Sequence, residues 1–132
     1  MAKKSIKILI IEDDTFLSSM YSTKFTLEGY SVVIANKGED GLRMAEEEVP
    51  DMILLDILLP GIDGFSVLKK LKKSEKVKDI PVIMLTNLGQ KDDVRKGFEL
   101  GAIGYLIKAH YMPSEVVEKV KDALKEAGIK TA

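Results

Sequence analysis

Five short apolar runs recur along the chain: IKILIIE (6–12), SVVIA (31–35), DMILLD (51–56), PVIMLT (81–86) and IGYLIK (103–108). They are rich in Ile, Val and Leu, and most are nearly continuous rather than alternating, as strands read when both sheet faces are covered. Between them the apolar spacing changes to three and four, the period of a buried helical stripe. Residues 15–28 bring Leu17, Met20, Tyr21 and Leu27 near one face and close at Gly29. Residues 38–48 offer Leu42 and Ala45 before Pro50, and residues 64–73 offer Phe65, Leu68 and Leu71. Residues 90–100 offer Val94 and Phe98 before Gly101. Residues 114–127 carry Val116, Val117, Val120, Ala123, Leu124 and Ala127, with Ser114 as the expected cap and Gly128 as the stop. The order is (βα)5. Right-handed crossovers then predict a doubly wound α/β fold, a five-stranded parallel sheet with helices on both faces. One domain is expected over residues 1–132, with its core at about 6–127; there is no internal repeat, low-complexity segment or linker.

Composition narrows the chemistry. The chain has no Cys, which removes thiol nucleophiles, iron–sulfur clusters and Cys-ligated zinc. Its single His, His110, removes a multi-histidine metal site and weighs against a Ser-His-Asp triad. With 132 residues, 45% hydrophobic and 31% charged, the chain can bury an ordinary core without a staple. No apolar run approaches the roughly 18–20 residues of a membrane span, so no membrane insertion is expected. The start, MAKKSIKILIIEDD, reaches acids too soon for a signal peptide, and a cytoplasmic location is expected. Twenty Lys plus Arg against 21 Asp plus Glu give a net charge of -1, which argues against direct nucleic-acid binding. The run KKLKKSEKVK (69–78) reads as a solvated helical face.

The active crevice of an open parallel sheet lies beyond the carboxyl ends of its strands. There the first strand ends in Glu12, Asp13 and Asp14, the third in Asp56, the fourth in Thr86 and Asn87, and the fifth in Lys108. Adjacent strands are about 4.8 Å apart, so these residues can converge. Singly, each has a bland explanation: an Asp after a strand caps a turn, a Thr favours strands, a Lys is solvated, and an acidic cluster suits a helix N-terminus. Jointly, they describe a site. Acids from two strands repel unless a cation sits among them, and hard oxygen ligands suit Mg2+ or Mn2+. Asp13 is the natural metal ligand. Asp56, alone on its strand, is the natural nucleophile toward a phosphoryl group. Thr86 and Lys108 opposite would hold the phosphoryl oxygens. There is no GxGxxG after the first strand and no GxxxxGK[ST] anywhere, which excludes the common nucleotide loops.

The arrangement resembles the receiver domain of two-component response regulators, of the stand-alone chemotaxis-regulator type. The resemblance rests on ILIIEDD (8–14), LLDILLPGIDG (54–64), PVIMLT (81–86), GAIGYLIK (101–108) and the last amphipathic helix. It implies a flavodoxin-like strand order, 2-1-3-4-5. It implies Mg2+ as cofactor, held by Asp13 and Asp56, by Glu12 through water, and by the backbone carbonyl of Leu58. It makes Asp56 the phosphoacceptor, Thr86 the hydrogen-bond donor and Lys108 the ion-pair partner of the phosphoryl group, with Tyr105 at the aromatic switch position. A sensor histidine kinase or phosphotransfer protein would be the phosphodonor. A downstream protein of unknown identity would read the face of the fourth helix, fifth strand and fifth helix, where phosphorylation can also promote a dimer. The domain would assist only its own phosphoryl transfer and hydrolysis, and so is not a turnover enzyme.

Three departures from that family are visible. Ala109 stands where the family has a cis proline, so the Lys108–Ala109 bond is either cis and strained or trans and rearranged. Asn87 replaces a small residue and would crowd the site or donate a hydrogen bond to it. Leu58 and Leu88 flank the phosphoryl position with apolar cover, which predicts slow loss of the phosphoryl group. The first two departures favour the alternative of a phosphorylation-independent, receiver-like interaction module. An aspartyl phosphatase is a third reading, but Leu58 occupies the position of its second Asp.

Overall fold

The computed structural model describes residues 5–129. Five strands and five helices alternate: β1 (Lys7–Ile11), α1 (Thr15–Leu27), β2 (Ser31–Ala35), α2 (Gly38–Glu48), β3 (Met52–Leu55), α3 (Gly64–Lys73), β4 (Val82–Thr86), α4 (Lys91–Glu99), β5 (Gly104–Ile107) and α5 (Pro113–Glu126), with a 3-10 turn at Lys108–His110. The sheet order is β2-β1-β3-β4-β5 and every pairing is parallel. The expected doubly wound fold is therefore present, with the expected strand order.

Both faces of the sheet are covered, and side chains alternate between two cores. Ile8, Ile10, Met52, Leu54, Ile83 and Leu85 pack with Tyr21 and Phe25 of α1 and Val116, Val120 and Leu124 of α5. Their neighbours Leu9, Ile11, Ile53, Leu55, Val82 and Met84 pack on the opposite side with Ala45 of α2 and Phe65, Leu68 and Leu71 of α3. A period of two with an apolar residue at every step gives continuous runs, which is why the strands do not alternate in the sequence.

Two details differ from expectation. The buried stripe of α1 is Ser18, Tyr21 and Phe25, while Leu27 is 74% exposed. Phe25 lies one turn beyond Tyr21 and continues its face, whereas Leu27 is rotated away from it. In α5, Ser114 lies inside the helix. Met112 is the N-cap, Pro113 opens the first turn, and the Glu115 carboxylate accepts the Met112 N–H at 2.8 Å.

The switch in strand order between β1 and β3 opens the crevice that positions the site. Ile11 pairs with Leu55, and the next rung brings Glu12 beside Asp56, whose N–H donates to the Ile11 carbonyl at 3.0 Å. After Asp56 the chain turns sharply. Gly61 takes a positive φ of 76°, Asp63 caps α3 by accepting the Ser66 N–H, and Gly64 donates its N–H to the Ile57 carbonyl. Gly64 lies so close to this turn that an added Cβ would fall 2.1 Å from the Asp56 carbonyl oxygen and 2.6 Å from the Ile57 Cα. Backbone cannot yield as a flexible side chain does, so α3 would have to move. Gly64→Ala is expected to destabilise the fold by about 3 kcal/mol, read as a lower urea midpoint at unchanged slope.

Candidate functional site

Glu12, Asp13 and Asp56 each offer a carboxylate oxygen, and these three atoms lie within 4.8 Å of one another. Glu12 and Asp56 are buried and Asp13 is exposed at the mouth. Lys108, from the turn after β5, reaches across. Its ammonium contacts Asp56 Oδ2 at 2.6 Å and also pairs with Glu12 Oε1. The other Asp56 oxygen, Oδ1, accepts the N–H of Ile57 at 2.7 Å and of Leu58 at 3.2 Å. The carboxylate is thus gripped on one side by backbone and on the other by the Lys108 ammonium.

Each remaining residue has a definite place. Glu12 Oε2 accepts the Asp14 N–H at 3.0 Å, and Asp14 itself caps α1 by accepting the Leu17 N–H. Thr86 ends β4, fully buried, with its Oγ1 3.4 Å from the Leu88 N–H. Leu58 is 57% exposed and borders an open cleft of about 590 Å³ together with Asp13, Phe65, Leu88 and Lys96. Burial raises the pKa of Glu12, against the lowering effect of Lys108 and the Asp14 N–H. For Lys108 burial works downward, but its bonds to Asp56 and Glu12 outweigh it and the net shift is upward.

Some features escaped the sequence, and one choice that it left open is now made. Asn36, at the end of β2, donates its side-chain N–H to the Glu12 carbonyl at 2.9 Å and steadies the acidic loop; its place at a strand end is the one sequence signal for it. Asn87 neither donates to the site nor fills it: its Oδ1 accepts the Ala109 N–H at 3.1 Å. The described residues contain no cis peptide bond, so the Lys108–Ala109 bond takes the rearranged trans alternative, within the 3-10 turn. In the lysine run, Lys72 is half-buried rather than solvated, its ammonium donating to the carbonyls of Lys78 and Ile80 at 3.1 Å each. Those carbonyls belong to the loop after α3 and need donors.

The family model described as the response regulator receiver domain matches residues 8–121. The chain belongs to that family. Receiver domains act as phosphorylation-based switches of two-component systems rather than as classical enzymes; they take the phosphoryl group from histidine kinases and generally use Mg2+ at an acidic site. Similar proteins include the DNA-binding dual master transcriptional regulator RpaA of Synechocystis sp., 41% identical over 119 residues, covering 90% of this chain and 49% of that protein. The transcriptional regulatory protein AfsQ1 of Streptomyces coelicolor is 40% identical over 101 residues, covering 76% of this chain and 44% of its own. The chain thus spans about half the length of the curated relatives it matches. Among solved structures, a CheY-like receiver domain protein from Methanospirillum hungatei superposes with a TM-score of 0.87 at 30% identity, covering 95% of this chain and 98% of that one. The chemotaxis protein CheY4 of Vibrio cholerae gives 0.84 at 26% identity, covering 90% and 98%. No described helix of this receiver domain is long and apolar enough to cross a membrane.

Tyr105 of the receiver lies against Gly97 and pairs with Met84 in the β4–β5 ladder, and its hydroxyl donates to the Leu88 carbonyl at 2.5 Å. Burial, with smaller contributions from Asp93 and Asp56, pushes its phenol up to about 12. A raised folded-state pKa gives stability that is complete below pH 10 and lost as pH rises through about 12. Tyr105→Phe is therefore expected to lose less stability than the parent between those values. The parent-minus-variant ultraviolet titration should show phenolate forming near 12 rather than near 10.

Proposed function

We propose that this chain is a phosphoryl-accepting switch of a two-component phosphorelay, with Asp56 as the acceptor. The observation that carries the reading is the Asp56 carboxylate, buried beside Glu12 and Asp13, with Lys108 on one oxygen and backbone N–H groups on the other. Three carboxylates and one ammonium leave two negative charges, which suits one divalent cation, and an all-oxygen donor set suits Mg2+. Asp13 and Asp56 would hold it directly and Glu12 through water, on the family's pattern, and the Leu58 carbonyl would complete the set. When bound, Mg2+ supplies charge neutralisation for the phosphoryl oxygens.

The chain's own residues do the rest. An Asp56 oxygen attacks the donor phosphorus, and the bond from phosphorus to the donor nitrogen or acyl oxygen breaks. Lys108 exchanges its carboxylate contact for a phosphoryl oxygen, and the Thr86 hydroxyl donates to another. Thr86 adjoins the loop whose Leu88 carbonyl accepts from Tyr105, so a shift of Thr86 is transmitted to the Tyr105 hydroxyl. The face built from α4, β5 and α5 then changes. Exposed Phe98 and Ile103 on that face suit a protein partner or a phosphorylation-promoted dimer. On this reading residues 1–132 form one receiver domain, cytoplasmic, supplied by a sensor histidine kinase or phosphotransfer protein, with no direct nucleic-acid contact. The contact between Lys108 and Asp56 favours the switch over the phosphorylation-independent module, which Ala109 and Asn87 would favour.

Incubation with Mg2+ and acetyl phosphate is expected to add the mass of one phosphoryl group, a gain absent in Asp56→Asn. No gain in the parent with excess donor would overturn the reading. After donor removal the added mass should persist for minutes rather than seconds, and Leu88→Glu should shorten it.

A further inference from the structure

The parallel ladder between β4 and β5 ends at the Thr86–Ile107 pair. The two side chains proposed to bind the phosphoryl group from this edge sit at or just past that last rung: Thr86 on one strand, Lys108 after the other. Two side chains bridge the segments there. Asn87, from the loop after β4, accepts the Ala109 N–H at 3.1 Å. Tyr105, from β5, donates to the Leu88 carbonyl in that same loop at 2.5 Å. The turn that carries Lys108 is otherwise weakly held. Its closing bond, from the Tyr111 N–H to the Lys108 carbonyl, is 3.3 Å long, and Ala109 and His110 are exposed. Yet Lys108 must aim a long, flexible side chain at two buried carboxylates.

We propose that Asn87 is a positioning residue for Lys108: its amide oxygen adds one side-chain rung to the β4–β5 ladder and holds the turn that directs the ammonium at Asp56. This rests on Asp56 being the phosphoryl acceptor. The tie requires an N–H at residue 109, which Ala109 supplies and a proline would not. Because Asn87 follows Thr86 directly, the same tie couples the two phosphoryl-binding side chains: a displacement of Thr86 is felt by the Lys108 turn. The bond is exposed and competes with water, so it adds little to global stability and acts through geometry.

Asn87→Ala and Asn87→Leu both remove the acceptor, and the second keeps the bulk. In both, the Ala109 amide is expected to exchange faster with solvent by NMR. In both, phosphoryl uptake from acetyl phosphate at saturating Mg2+ is expected to slow by about fivefold, with unchanged Mg2+ affinity. In a Lys108→Ala background, Asn87→Ala should slow the reaction no further, because Asn87 acts through Lys108. Faster uptake in Asn87→Ala, parent-like uptake in both single variants, or a full additional loss in the Lys108→Ala background would each overturn the proposal. A parent protein that takes up no phosphoryl group would overturn the acceptor reading instead; Ala109 amide exchange would still report whether Asn87 holds the turn.

Discussion

Mutual repulsion between the carboxylates at the ends of β1 and β3 is the constraint on which the site depends. Two unit charges at the 4.8 Å limit of the cluster repel by about 3 kcal/mol at an effective dielectric of about 20. That is a large share of the stability of a small domain, typically about 5–15 kcal/mol. Lys108 answers the repulsion within the protein by touching both buried acids at once. Because one ammonium cannot neutralise three carboxylates, the cluster keeps an unmet demand for positive charge, and that demand makes it suited to a divalent ion and a phosphoryl group together.

The fold serves this arrangement at every level. Ladder register brings Glu12 beside Asp56 one step past the Ile11–Leu55 pair, and burial on both sheet faces keeps the strands from slipping. The contact of Gly64 with the Asp56 carbonyl fixes the turn from below, and the Ile57 N–H fixes the carboxylate from the side. The cation comes from the far strand on a short turn. The acids are therefore held by ladder register and backbone N–H groups, while their cation comes from an exposed turn.

Much of this was legible in the sequence because it follows from local chemistry. Continuous Ile/Val/Leu runs marked all five strands, and strand-end position singled out Glu12, Asp13, Asp56, Thr86 and Lys108, which the fold carries to one end of the sheet. What escaped depends on pairings between segments distant in sequence. The bond from Asn36 to the Glu12 carbonyl and the bond from Ala109 to Asn87 join residues 24 and 22 positions apart, and no periodicity announces them. Leu27 and Ser114 misled for a different reason: a helix face rotates 100° per residue, so a boundary or phase error of one position moves a residue off the stripe or into the helix.

Titration calorimetry with Mg2+ tests the charge account most directly. The parent should bind one ion. Asp13→Asn should lose that binding, and Lys108→Met should bind more tightly, because the competing ammonium is gone while the acids remain. Unchanged binding in Asp13→Asn, or weaker binding in Lys108→Met, would contradict the view that these carboxylates form one cation-demanding site.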